Sequence, residues 1–265
     1  MMALMKNQSF DDSARRPPGK LPELTQAIDQ HHHVRVRELV TQFHFPKRLL
    51  GTALLHAVMG SADIDIMVTL LRAGAPPESD RGLGMMAYAS MGSLDGLKML
   101  AEAGMPISNA YPAATIAAAS GDVNMLRFFI EGGVAPDADG SEILRRACAN
   151  GHLEAVRYLI ECGATASANS GGMVLAAAQS GNASLVTFLV DECSVSLDEA
   201  GRDALDEACL HDDDRATPMI EFLLSRGVSP QGMSRAQAVS DRMRIEGDVA
   251  SGIAIKSKVK RGAPC

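Results

Sequence analysis

Apolar residues recur along this chain at helical spacing, in blocks that are themselves repeated about every thirty positions. In 122–132 they fall at Val123, Leu126 and Ile130, with Met125 and Phe129 beside them. Such spacing puts side chains on one face of an α-helix. The next block carries Leu153, Val156, Leu159 and Ile160. The one after it carries Leu185, Val186, Leu189 and Val190, and the last Met219, Ile220, Leu223 and Leu224. The blocks close at Gly74, Gly104, Gly133, Gly163, Cys193 and Gly227. Gly reaches the left-handed conformation that a helix C-terminus often needs, so Cys193 stands out. A second column, Gly92, Gly121, Gly151 and Gly181, opens the blocks at intervals of 29, 30 and 30 residues.

Before each opening glycine lies a run of small residues, as in 88–91, 116–120 and 175–180, which predicts a short Ala-rich helix. Cys148 and Cys209 replace Ala there and read as small packing groups. Polar turn segments follow most closing positions, at 75–80, 136–140 and 166–170. The unit is therefore short helix, tight turn, longer helix, extended loop. One such unit cannot bury its own apolar face, whereas a stack of them shares one core. Phe128, Tyr158, Phe188 and Phe222 occupy one repeat position and predict a packing seam between neighbours.

Composition narrows the class. The 265 residues are 46% hydrophobic and 22% charged, with 15 Met, 10 aromatic residues and no Trp, so the core is aliphatic, Ala and Met. No run approaches the eighteen apolar residues of a membrane span. The first twenty residues lack the apolar stretch of a secretory signal. Five cysteines at irregular spacing fit free thiols in a reducing compartment. Net charge is −7 overall, but residues 1–20 carry +2 and 234–265 carry +4, which leaves −13 on the middle. An acidic body argues against nucleic-acid binding.

The best-formed copy runs from Ala147 to Ala164, with Gly151, His152 and Leu153 at its turn and Gly163 and Ala164 at its close. It resembles the ankyrin repeat, in which a Gly-His-Leu turn opens the second helix and a Gly-Ala pair follows it. Leu144-Arg-Arg-Ala-Cys148 and Leu205-Asp-Glu-Ala-Cys209 are similar to the family's Leu-His-Glu-Ala-Cys first helix. The resemblance covers about seven units over 21–233 and is best between 82 and 200. Thr52-Ala-Leu-Leu-His56 is the nearest remnant of the Thr-Pro-Leu-His signature. The units have 29 or 30 residues against the family's 33, so short finger loops are expected. Segments 60–65 and 211–217 read as insertions in interhelical turns. Residues 1–20 read as a flexible polar segment, and 234–265 as a capping helix over 235–244 with a basic tail. The implied fold is an all-α ankyrin-repeat solenoid of stacked helix-turn-helix units.

The resemblance implies a non-enzymatic module that binds, and regulates or inhibits, another protein through a concave face of finger loops and first helices. Carried over by position, the finger residues are Asp80, Arg81, Asn109, Tyr111, Asp137, Asp139, Ser141 and Asn169. The first-helix residues are Met91, Arg146, Asn150, Gln179 and Glu207. Tyr111 and Arg146 are the expected anchors, because interface energy concentrates in aromatic and Arg side chains. Acidic fingers suit a partner with a basic surface. No cofactor, metal, nucleic acid or membrane is expected, and the location is cytoplasmic, or a host cytosol for a delivered effector. Partner identity and oligomeric state stay open.

Other polar clusters offer little chemistry. His31, His32 and His33 fall in the first interhelical turn, where neighbouring side chains diverge. His211, Asp212, Asp213 and Asp214 form a polar loop with oxygen ligands. No phosphate-binding loop with its Lys, nucleophile elbow or His-Glu-x-x-His motif is present. Two rival readings are a scaffold self-assembling through the Met-rich segment 84–88, and an enzyme or small-ligand protein using the C-terminal segment.

Overall fold

The computed structural model describes residues 20–166, 170–197, 200–210 and 216–250. Asn169, the loop 211–215, the N-terminal segment before Lys20 and the basic tail lie outside the described residues. Within them the chain is all-α. Seven helix pairs follow one another: α1 (Lys20–Asp29) and α2 (His33–Gln42); α3 (Lys47–Gly60) and α4 (Ile64–Arg72); α5 (Leu83–Ser90) and α6 (Leu94–Glu102); α7 (Tyr111–Ser120) and α8 (Val123–Glu131); α9 (Ala138–Ala149) and α10 (Leu153–Glu161); α11 (Ser170–Gln179) and α12 (Ala183–Asp191); α13 (Ala200–Leu210) and α14 (Ala216–Ser225). A last helix, α15 (Ser234–Ala250), extends beyond the 235–244 that the pattern suggests.

The chain divides into two compact units. One comprises the residues up to Ala117 with Asn124–Ala135; the other comprises Ala118–Val123 and the chain from Pro136 onward. In the first, α1 meets α3 and α3 meets α5, while α2 meets α4 and α4 meets α6. In the second, α9, α11 and α13 succeed one another, α12 meets α14, and α15 covers α13 and α14. First helices thus stack on first helices and second on second.

The buried stripe repeats in strict register. On the second helices it comprises Ile66, Met67 and Leu70; Gly96, Leu97 and Leu100; Met125, Leu126 and Phe129; Ala155, Val156 and Leu159; Leu185, Val186 and Leu189; and Met219, Ile220 and Leu223. Val123, Ile130, Leu153 and Ile160 only flank it, half-buried. The pattern of three apolar residues in five positions therefore carries the core, and the wider spacing marks its edges.

Length varies only in the connections. From Val58 to Ile66 the chain is one residue longer than from Ala89 to Gly96, so the insertion expected at 60–65 is a single residue. Ala57 O accepts the N–H groups of both Ser61 and Ala62 there. The finger from Leu189 to Ala204 carries an extra residue relative to that from Leu159 to Met173. This displaces the closing position: the left-handed residue is Ser194 (φ 55°), not Cys193, and the Val195 N–H reaches back to Leu189 O.

One pair departs from small-residue packing. Tyr88 stands where the following repeats have Ala117, Ala147 and Ala177, and Gly96 stands where they have Met125, Ala155 and Leu185. A Cβ on Gly96 would lie 2.2 Å from Tyr88 Cδ1, so the ring fills the space that a side chain at 96 would take. The Tyr88 hydroxyl donates to Ala62 O in the preceding interhelical turn. Overpacking such a site costs about 1–3 kcal/mol. Gly96→Leu is expected to destabilise by that amount in urea unfolding. In the Tyr88→Ala background, the same change is expected to be near neutral or stabilising.

Candidate interaction surface

Two edges position the exposed side chains. At the turn edge, second helices start from side-chain caps. Asp63 accepts from the N–H groups of Asp65 and Ile66, at 3.1 and 3.3 Å; Ser93 accepts from Gly96 N and Asn182 from Leu185 N, both at 3.2 Å. Each such cap contributes about 1 kcal/mol. The turns are also tied to one another. His152 Nε2 donates to Ala119 O at 3.0 Å, and Asn182 Nδ2 to Gly151 O at 2.8 Å. Gly121 makes room for the first tie: it adopts φ 74°, and a Cβ there would lie 2.6 Å from the His152 ring. His31 (φ 55°) sits 3.6 Å from Asp63, while His32 and His33 point into solvent as exposed residues. Among the described residues no group of three His, Cys, Asp or Glu is placed to hold a metal ion.

At the finger edge, Pro77–Asp80 forms a short 3-10 helix, begun by a proline whose fixed φ suits a first helical position. Asp80 closes it. Its Oδ1 accepts from Gly82 N at 2.8 Å and its Oδ2 from Gly84 N at 2.9 Å, at the start of α5. Asp80 is 0% exposed, and burial pushes its carboxyl above the usual carboxylate range, against the pull of those two N–H groups. The expectation that Asp80 contacts a partner is therefore corrected: it is a buried capping group. Ser141 is corrected likewise. At 2% exposure it ends a left-handed turn in which Asp139, Gly140 and Ser141 have φ of 51, 66 and 67°, and regular helix begins only after it.

The other candidates lie on the surface. In the first unit Arg81, Met91, Asn109 and Tyr111 are exposed, with Met91 at 57% and Tyr111 at 40%. In the second unit Asp137, Asp139, Arg146, Asn150 and Gln179 are exposed and Glu207 is half-buried. Arg146 Nε donates to Glu142 Oε1 at 2.7 Å, and Arg145 grips both oxygens of the same carboxylate at 2.7 Å. The hydrogen bonds from Arg145, then that from Arg146, hold the Glu142 carboxyl below its ordinary range despite partial burial. Asn150 donates to Arg146 O at 2.9 Å.

Sequence reasoning passed over Met59 and Leu210, which are 73% and 74% exposed near the ends of α3 and α13. A signal was available: the same first-helix position elsewhere carries the small or polar residues Ser90, Ala119, Ala149 and Gln179. The rival self-assembly segment 84–88 is mostly interior, since Gly84, Met85 and Tyr88 are buried. In the aromatic column of the second unit, arginines cover two of the rings, Phe188 and Phe222. Arg157 lies 4.2 Å over Phe188 while both its terminal nitrogens bond Glu192, and Arg226 lies 5.1 Å over Phe222.

Residues 85–170 match the family model for ankyrin repeats, in three copies. Residues 85–170 carry ankyrin repeats. The buried register of the matched stretch continues on both sides of it, from Ile66 to Leu223. None of the curated proteins matches the chain. Ankyrin repeats indicate a protein–protein interaction module, and the family is typically non-enzymatic. No helix among the described residues is long and apolar enough to cross a membrane.

Cys148 and Cys209 lie on first helices, where they take the place of a small packing residue. Cys148 is buried, and burial, with a smaller effect from Cys193, pushes its thiol up to about 12. Burial also raises Cys193 and Cys209, which are only half-buried. Because the thiolate is the reacting species, Cys148 is expected to stay unmodified by a disulfide reagent at pH 8 while the chain is folded. Mass mapping of the labelled peptides should show it reacting only in denaturant.

Proposed function

We propose that this chain binds, and thereby regulates or blocks, a partner protein through the first-helix and finger surfaces of its ankyrin repeats. The observation that carries this reading is the exposure of Met91 and Tyr111, which, with Val34, Met59, Met99 and Leu210, are the large apolar groups left in water among the described residues. Arg81 and Asn109 accompany them on the first unit. Asp137, Asp139, Arg146, Asn150 and Gln179 form the corresponding patch on the second, and Asn169 and Glu207 belong with it by position. Glu142 supports Arg146 in particular: it fixes one edge of the guanidinium, so less side-chain freedom is lost on binding.

The acidic body favours a partner with a basic surface and speeds its encounter at low salt. The chain has no chemistry of its own in this reading and needs no cofactor. It works in the cytoplasm, or in a host cytosol if it is a delivered effector, and it engages neither nucleic acid nor membrane.

Capture from a lysate of the native host by wild type and by the Tyr111→Ala, Arg146→Glu double variant tests the reading. Each anchor is expected to contribute at least about 1 kcal/mol, so the variant should recover the partner ten-fold less well or worse. Its unfolding midpoint should stay near that of wild type, because exposed substitutions cost little. Equal recovery by both chains overturns this surface. Recovery of the chain alone moves the function to self-assembly.

A further inference from the structure

The last finger, between α14 and α15, carries side chains that the repeat itself does not require. Just before the left-handed closing position the earlier units have Ala73, Ala103, Gly132, Cys162 and Cys193, whereas this one has Arg226. Three residues on stands Ser229, followed by Pro230. Arg202, near the start of α13, stands where the two preceding units have Ser141 and Gly171.

These residues meet in the second unit. Arg202, Arg226 and Ser229 line one open cleft of about 320 Å³, together with Leu197, Gly227 and Val228. That lining holds two cations and no carboxylate, in a chain whose middle is acidic. Arg202 Nη2 donates to Gln231 O at 2.8 Å and lies 3.8 Å from where a Cβ on Gly232 would be. The guanidinium is therefore held against the segment that Ser229 begins. One of its five N–H donors is used there, and the others have no partner among the described residues. Arg226 is exposed as well, although its Nη2 meets Asp191 Oδ1 at 2.5 Å and its guanidinium covers Phe222.

Ser229 is exposed, and its hydroxyl has no hydrogen-bond partner among the described residues. Residues 228–230 have no regular secondary structure, and a following proline pushes a residue towards extended backbone. An exposed, extended serine with Arg three residues before it and Pro after it suits the substrate groove of a protein kinase, where charge pattern selects the chain.

We propose that Ser229 is a phosphorylation site and that Arg202 holds the phosphate. Ser229 Oγ attacks the γ-phosphorus of a kinase-bound nucleoside triphosphate. The new O–P bond forms, the bond to the β,γ-bridging oxygen breaks, the diphosphate leaves, and the hydroxyl proton passes to the kinase's base. The product carries about −1.5 to −2 charge and three acceptor oxygens, which an Arg fork meets with two parallel N–H···O bonds. It joins the start of α13 to the chain leading into α15, the helix that covers α13 and α14. Modification thus fastens the last finger to the repeat beneath it. This inference goes beyond the partner-binding reading and does not rest on it.

Two measurements test it. The full chain is incubated with a lysate of the native host and magnesium–ATP, and phosphopeptides are mapped by mass spectrometry. Phosphate is expected on Ser229, and about tenfold less of it in Arg226→Ala, as the loss of one charged contact to the kinase implies. The second measurement uses the full chain with phosphoserine inserted at 229 during translation, followed by phosphorus NMR. A nearby guanidinium favours the dianion, so the second ionisation should fall about half a unit or more below its value near 6 in the urea-unfolded chain. Arg202→Gln should remove most of that fall. Absence of phosphate on Ser229 after lysate treatment overturns the site, and equal phosphate in Arg226→Ala overturns its recognition. A phosphate that titrates alike in folded and unfolded chains, or alike in wild type and Arg202→Gln, overturns the clamp. None of these results touches the Tyr111 and Arg146 surface, which the capture experiment tests by itself.

Discussion

A helix of nine residues is not stable alone in water, because the cost of nucleating it exceeds what so few hydrogen bonds return. Five of the second helices here, α4, α6, α8, α10 and α12, have that length. Each is held by the stripe it buries, at about 25 cal/mol per Å² of apolar surface removed from water. The stripe of one pair is covered mostly by the next pair in the same unit. Every other feature follows from this dependence on a neighbour: the strict register, the small first-helix residues that let rows approach, and the confinement of length changes to turns and fingers.

Polar groups take over where the apolar stripe ends. The ties from His152 to Ala119 O and from Asn182 to Gly151 O join successive turns, each satisfying a carbonyl that a helix end would leave to water. They also lock the stagger between repeats at one edge. At the opposite edge no common tie joins the fingers among the described residues. One uses a buried aspartate, one a left-handed turn and one an extra residue before Val195. Variation is tolerated there because little of the shared core is involved, and that is where a binding surface can diverge from repeat to repeat.

Sequence alone reveals the helices, the turn glycines and the repeat length, because these follow from local periodicity and backbone preference. It misplaces what depends on a neighbour thirty residues away. Asp80 and Ser141 look like finger-tip polar residues but are interior: Asp80 is drawn inward to cap the N–H groups of Gly82 and Gly84, and Ser141 ends a left-handed turn. Cys193 looks like the closing position because column counting assumes equal lengths; one added residue moves the left-handed site to Ser194. The aromatic column reads as a packing seam between neighbours, but nothing local shows that cations form it: Arg157 of the preceding pair covers Phe188, and Arg226 covers Phe222.

Tyr88 has an evolutionary consequence. Repeat proteins grow and shrink when genes recombine at one copy's length, which assumes that copies are interchangeable. Here the ring needs the missing side chain at Gly96 and the hydroxyl needs the turn carbonyl at Ala62. A crossover between Tyr88 and Gly96 separates the ring from the residue that makes room for it, whereas the Ala62 carbonyl is backbone and any residue there supplies it. A copy carrying this tyrosine can therefore replace another without overpacking only if its own glycine travels with it.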